Sequence, residues 1–173
     1  MSKTKENLEA AFAGESQARN KYTYWAKVAR KEGYHYIAKI FEETALNEMR
    51  HANDEFKLLS GINSTLENLK AAAEGEAYEF ETMYPQFAKE AEEEGNMEAA
   101  RLFKQIAKVE AHHRDRYQKL LEMVENDTVF RRKVPIKWKC SICGYIVEGT
   151  EPPAKCPCCQ HPKEYYEPAN MEF

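Results

Sequence analysis

The chain has 173 residues and a mass of 20.1 kDa, enough for one domain or for one domain with a small module attached. Charged residues make up 31% and the hydrophobic set 43%, with only seven glycines and seven prolines, which excludes a disordered or collagen-like chain. A net charge of −4 argues against a nucleic-acid partner, and no apolar run is longer than Ala10–Ala13, so no membrane span is expected. The first residues, Met-Ser-Lys-Thr-Lys-Glu, lack the apolar core of a signal sequence, and a cytoplasmic location is expected.

Only Asp54, Asp115 and Asp127 among the 29 carboxylates are aspartate; the rest are glutamate, a good helix former. Residues 1 to about 126 are therefore expected to be helical. A first helix is read from the stripe Leu8, Ala11, Phe12, Gln17, Ala18, Tyr22, Trp25, Ala26 and Ala29, ending at Gly33. A second starts near Tyr34, with Ile37, Ile40, Phe41, Leu46 and Phe56 on its expected buried side, and ends at Ser60-Gly61. Asn63-Ser64-Thr65 offers caps for a third, with Glu67 three residues after Ser64 in a capping-box pattern. Pro85 interrupts that third pattern, so a kink is expected near Tyr84. Gly95-Asn96 is the next break, and a fourth helix runs through Leu102, Phe103, Ile106, Val109, Tyr117, Leu120 and Leu121 to about Val124. Four helices of about 40 Å each make a four-helix bundle.

The two halves of this region repeat at an offset of 62. Tyr22 matches Tyr84, Glu32-Gly33 matches Glu94-Gly95, and Phe41, Ala45, Glu48 and His51 match Phe103, Ala107, Glu110 and His113. Upstream the offset falls to 61, where Gly14-Glu15 matches Gly75-Glu76. The second half therefore holds one extra residue between its glutamate and its tyrosine, and a π-bulge is the easiest way for a helix to absorb it.

Glu48-x-x-His51 and Glu110-x-x-His113 each put a carboxylate and an imidazole on one helix face. Such pairs are weak signals alone; Glu32-x-x-His35 also fits the pattern but straddles the Gly33 turn and is discounted. Depth is the stronger argument. Counted from Gly33 and Gly95, Glu15, Glu48, Glu76, Glu79 and Glu110 fall within about one helical turn of a common level. Uncompensated burial of that many carboxylates is costly, and two divalent cations would offset it. Oxygen-rich ligands with imidazole suit iron or manganese, and this is the di-metal carboxylate arrangement of helical bundles. Tyr22 and Tyr84 lie about two turns from their helix's glutamate on a similar face, as core residues or as hydrogen-bond partners of metal carboxylates.

Residues 126–137 read as a linker or first strand, and 138–173 as a Cys-rich module. All five cysteines lie there, and Cys140-x-x-Cys143 followed by Cys156-x-x-Cys159 is a strong signal for a tetrahedral four-sulfur site. So short a segment needs the metal to hold its fold, with Trp138, Tyr145, Tyr165, Tyr166 and Phe173 as its apolar complement. Spacing alone allows zinc or iron. Cys158 falls inside the second knuckle as a bystander, and His161 reads as a surface residue.

Phe12-Ala-Gly-Glu-Ser-Gln-Ala-Arg19, Met83-Tyr-Pro85, the two Glu-x-x-His pairs and Trp138-Lys-Cys-Ser-Ile-Cys-Gly-Tyr145 together resemble rubrerythrin over nearly the whole chain. The resemblance implies a mainly α chain: a ferritin-like di-iron four-helix bundle over 1–134, then a rubredoxin-like four-cysteine iron domain over 135–173. It implies a non-haem di-iron peroxidase that reduces hydrogen peroxide to water in oxidative stress defence. Electrons would come from an NAD(P)H-linked donor protein, such as a rubredoxin or a reductase, and enter at the rubredoxin-like iron. It makes Glu15, Glu48, Glu76, Glu79, Glu110 and His113 ligands of two irons, with Glu79 and His51 an exchanging pair, and Cys140, Cys143, Cys156 and Cys159 ligands of a third. It gives Tyr22 and Tyr84 supporting roles beside the carboxylates. The alternatives are a ferroxidase or iron-handling protein, an oxygen reductase, or a structural or electron-carrier protein with zinc in the cysteine site. No Gly-x-Gly-x-x-Gly is present for a nicotinamide of the chain's own.

The connection from Ser60 to Ser64 departs from ferritin-like bundles, whose second and third helices run parallel and need a long crossover. Five residues reach at most ~18 Å, well short of a ~40 Å helix. Either the topology is a simple up-down-up-down bundle, or the third and fourth helices leave to complete a partner's bundle; the second is favoured, and a domain-swapped homodimer or higher oligomer is expected.

Overall fold

In the computed structural model residues 2–169 are described. The expectation for Phe173 lies outside them. Five α-helices, α1 (Lys3–Lys31), α2 (His35–Leu58), α3 (Thr65–Tyr78), α4 (Tyr84–Glu93) and α5 (Met97–Glu125), precede three short strands, β1 (Ile136–Cys140), β2 (Ile146–Gly149) and β3 (Tyr166–Pro168). No helix among the described residues is long and apolar enough to cross a membrane. The chain divides into two compact units, Met1–Ser64 and Thr65–Phe173.

The first unit is the α1–α2 hairpin. Ser2 caps α1 by accepting from the Lys5 amide, and Arg30 and Lys31 face its negative C-terminal end. The turn closes with the Gly33 amide donating to the Arg30 carbonyl and the Tyr34 amide to Ala29, with Gly33 at φ 88°. Gly95, its partner in the repeat, closes the α4–α5 turn in the same way at φ 78°, and Asn96 then caps α5 through the Ala99 amide. Only glycine enters that left-handed region without cost, which is why both turns carry it. At the end of α2 the left-handed position falls on Ser60, and Gly61 is needed for a different reason: a Cβ there would lie 2.1 Å from the Phe56 ring, which is stacked on Phe12.

In the second unit, α3 and α4 are one helical run divided by a five-residue π segment, Glu79–Met83, and both halves pack on α5. The Tyr84 amide reaches back to the Glu79 carbonyl, five residues away, and Pro85 follows in the first turn of α4. The extra residue that the repeat requires between Glu76 and Tyr84 is housed here, where the wider turn also meets a proline that cannot donate to an α-helical ladder.

Within each hairpin the buried residues are almost all alanines: Ala26, Ala29, Ala38, Ala45 and Ala52 in the first, and Ala73, Ala88, Ala91 and Ala100 in the second. Ile37, Ile40 and Leu46, expected on the buried side of α2, are exposed instead, as are Trp25, Leu102, Val109 and Leu120. The reason is geometric. Two helices share one seam, small residues let the backbones approach along it, and the larger apolar side chains are left on a face that only further helices cover.

The C-terminal module is an antiparallel sheet in the order β2-β1-β3. Its core is Trp138, Cys140, Cys156 and Tyr166, with Ile136, Val147 and Cys159 against it. The Trp138 indole donates to the Gly149 carbonyl at 3.0 Å, and the Arg132 guanidinium lies 5.2 Å from its ring centre. Tyr145 and Tyr165, expected in this core, are exposed. Tyr145 ends the first cysteine turn, where its carbonyl takes the Cys140 amide, and Tyr165 packs edge-on against His161 instead of inward.

Candidate metal centres

The α1–α2 hairpin brings Glu15, Glu48 and His51 together, with ligating atoms all within 4.8 Å of one another. Nδ1 of His51 lies 2.9 Å from Glu48 and 3.8 Å from Glu15. The second unit repeats this with Glu76, Glu110 and His113, at 2.6 Å from His113 to Glu110 and 3.5 Å to Glu76. Helical spacing sets the Glu-x-x-His pair on one face, and the antiparallel neighbour supplies the third group at the same depth. The clusters lie in different compact units, and each has its own charge problem. Of the five glutamates expected at one level, Glu15 meets Glu48 and Glu76 meets Glu110, while Glu79 is outside both clusters.

Neither cluster is at ease without a cation. Glu15 is raised above the ordinary carboxylate range, first by sharing a proton with Glu48, then by burial and by repulsion from that carboxylate. Glu76 is raised first by burial, then by a shared proton and charge repulsion from Glu110. Two carboxyls in contact, with an imidazole nitrogen alongside, form a donor set that fits a divalent metal. A measurable consequence follows. A glutamate held above its unfolded value keeps more protons folded than unfolded, so the metal-free protein loses stability as pH rises through the raised values and regains it towards acid. Glu76→Gln should therefore raise the melting temperature of metal-free protein at pH 7 and lower that of iron-loaded protein, as read by calorimetry.

Glu79 is not part of the second cluster. It stands on the π segment, and its charge adds to the upward shifts of Glu76 and Tyr84. Tyr84 is held above the usual phenol range first by burial, then by Glu79, Glu110 and Glu76, so its hydroxyl keeps its proton beside those carboxylates. Its ring packs with Phe87 and Phe103, as Tyr22 packs with Trp25 and Phe41 at the matching positions of the repeat.

Cys140, Cys143, Cys156 and Cys159 form the third cluster. Sγ of Cys140 is 3.7 Å from Cys159, and Sγ of Cys143 is 3.6 Å from Cys156. A tetrahedron with metal–sulfur bonds of about 2.3 Å has edges of about 3.8 Å, so the sulfurs stand where a tetrahedral ion needs them. Cys156 is buried, which opposes ionisation, yet the Tyr166 hydroxyl and the Cys159 and Cys158 amides bring its thiol down to about 6. The Tyr166 hydroxyl is buried and its one candidate partner is the Cys156 sulfur, a contact that a metal-bound thiolate would strengthen. Cys158 is exposed and outside the cluster.

His161, read from sequence as a surface residue, is half-buried with Nδ1 3.3 Å from Cys159 Sγ. Its signal was its place two residues beyond a ligand-type cysteine, which spacing alone did not interpret. A hydrogen bond to a thiolate favours the reduced, more negative centre. His161→Ala should lower the reduction potential of an iron bound there by about 40 mV, the one-electron equivalent of a bond of about 1 kcal/mol, in spectroelectrochemical titration.

Comparison with known proteins finds two family models on the chain. The family model described as rubrerythrin matches residues 6–121, and the rubredoxin-like domain of rubrerythrin matches 138–167. The chain is 49% identical to rubrerythrin of Porphyromonas gingivalis, over 99% of this chain and 92% of that one. It is 47% identical to rubrerythrin of Clostridium perfringens, over 95% and 93%, and 44% identical to rubrerythrin of Nitratidesulfovibrio vulgaris, over 96% and 94%. One match spans both carboxylate–histidine clusters, the other spans the four cysteines, and the relatives align over more than nine-tenths of both chains; the chain therefore belongs to the rubrerythrin family, with a di-iron carboxylate site in its helical part and a four-cysteine rubredoxin-like site after it.

Proposed function

We propose that this chain is a peroxide reductase of oxidative stress defence, taking electrons one at a time through its four-cysteine iron. The observation that carries the reading is the pairing in one chain of two Glu-Glu-His half-sites with a four-sulfur site. Two ferrous ions in the carboxylate site would supply two electrons and the Lewis acidity needed to split an O–O bond. Glu15, Glu48, Glu76, Glu79, Glu110 and His113 would hold those ions, with His51 and Glu79 as alternative donors for one of them. Tyr84 keeps its hydroxyl protonated near the carboxylates, and Tyr22, at the matching place of the repeat, would support the first cluster in the same way. Cys140, Cys143, Cys156 and Cys159 hold the one-electron centre, which a donor protein linked to NAD(P)H refills. The working division is 1–134 for the bundle and 135–173 for the electron-entry domain, in a cytoplasmic enzyme. Protein purified without oxygen should contain about three irons per chain and consume peroxide on addition of a reduced donor; zinc in the cysteine site with iron-free helices would overturn the reading.

The bundle is completed by exchange, with Glu15, Glu48 and His51 from one chain facing Glu76, Glu79, Glu110 and His113 of a second. The short Ser60–Ser64 connection and the exposed apolar faces of both hairpins support this. Mixed expression of Glu48→Ala and Glu110→Ala chains tests it. In a swapped dimer each mixed pair regains one intact site, about a quarter of all sites in an equal mixture. A bundle built within one chain regains none.

A further inference from the structure

We propose that Arg114 is a positioning residue: with Phe80 and Glu81 it forms a clasp that ties the π segment to α5 and thereby sets the reach of Glu79. The inference rests on the metal-site reading above, which gives Glu79 its role.

The geometry is compact. Arg114 follows His113 on α5, its side chain is 21% exposed, and its guanidinium carbon lies 4.8 Å from the centre of the Phe80 ring. Its Nη1 donates to Glu81 at 3.3 Å, while Nε and Nη2 donate to Asp115 at 3.1 and 2.9 Å. Phe80 and Glu81 are the second and third residues of the π segment, and Glu79 is the first. The planar cation is thus fixed on its own helix by Asp115 and presents one face and one edge to the segment that carries Glu79. Arginine suits this task because the guanidinium stacks and donates at once.

The internal repeat supplies a control. The counterpart of Arg114 at the offset of 62 is Ala52, which is buried in the α1–α2 seam, and α1 runs unbroken past Glu15. The half without the inserted residue has no clasp; the half with it does. Wide π turns have poorer hydrogen-bond geometry than an α-helix and persist where their surroundings hold them. Here the holding group is one residue from a half-site histidine, so the π turn and that half-site are tied together.

The test uses the full-length, iron-loaded protein and its metal-free form. Arg114→Ala should speed hydrogen exchange of the amides of residues 80–84 by about tenfold, the loss of one stacked cation and one ion pair, with α1 and α2 unchanged. Arg114→Lys should fall between, since it keeps the charge but not the planar stacking. In iron-loaded Arg114→Ala, iron content should hold while the visible absorption of the di-iron centre shifts and kcat for peroxide falls more than KM changes. Unchanged exchange and an unchanged spectrum would overturn the clasp. Should Arg114→Ala fail to fold, Glu81→Gln provides the same reading, with smaller effects on exchange and spectrum, and no change in either would likewise overturn it. Faster exchange and a shifted spectrum in a protein that never consumes peroxide would sink the peroxidase reading and leave the clasp standing.

Discussion

Cys156→Ser should unfold the C-terminal module and leave the helices intact. The module's fully buried core is Trp138, Cys140, Cys156 and Tyr166, so two of its four members are also sulfur donors. No apolar core of that size holds some 36 residues against chain entropy, and structural tetrahedral zinc sites in small domains supply about 10–16 kcal/mol, enough to fold such a module. Serine removes the sulfur at the corner where Tyr166 and two amides favour a thiolate. The expected readout is loss of the slow-exchanging Trp138 indole proton, which now donates to Gly149, with no change in helical circular dichroism. A protected indole in the variant would show that the sheet folds without its fourth sulfur.

Glu110→Ala should reduce iron from about three per chain to about one and lower peroxide turnover by about 100-fold or more, since loss of groups that merely support metal ligands already costs 10–100-fold. Glu110 is the best shielded carboxylate of its cluster, with a side chain 13% exposed, and it contacts both His113 and Glu76. Glu48→Ala should behave alike, because Glu48 occupies the same place in the first half-site at 16% exposure. The four-cysteine iron should keep its colour in both variants. That separates failure of the di-iron site from failure of the electron route, and full iron occupancy in either variant would remove the glutamate from the ligand set.

Much of this site was legible in the residue types. Glu-x-x-His at 48–51 and 110–113, the depth of Glu15 and Glu76, and the two Cys-x-x-Cys knuckles identify the groups the structure brings together, because metal ligation demands particular atoms at helical or turn spacing. The single-residue slip in the repeat located the π segment to within a few positions, since a helix has few ways to absorb one residue. Burial was less legible. Ile37, Ile40, Leu46, Tyr145 and Tyr165 are apolar or aromatic and were read as inside, yet each is exposed. Periodicity tells which residues share a face; what covers that face is a matter of other elements.

His161, Tyr166 and Arg114 mark the boundary of sequence reasoning. The metal chemistry, the helix count, the turn glycines and the odd residue before Tyr84 follow from composition and local spacing, because they depend on neighbours within a few residues along the chain. The contact of His161 with a cysteine sulfur, the buried Tyr166 hydroxyl beside Cys156 and the Arg114 stack on Phe80 depend on groups brought together from separate turns or elements. Only the tertiary structure decides these, because long-range side-chain contacts arise from packing, and packing has no period in the sequence.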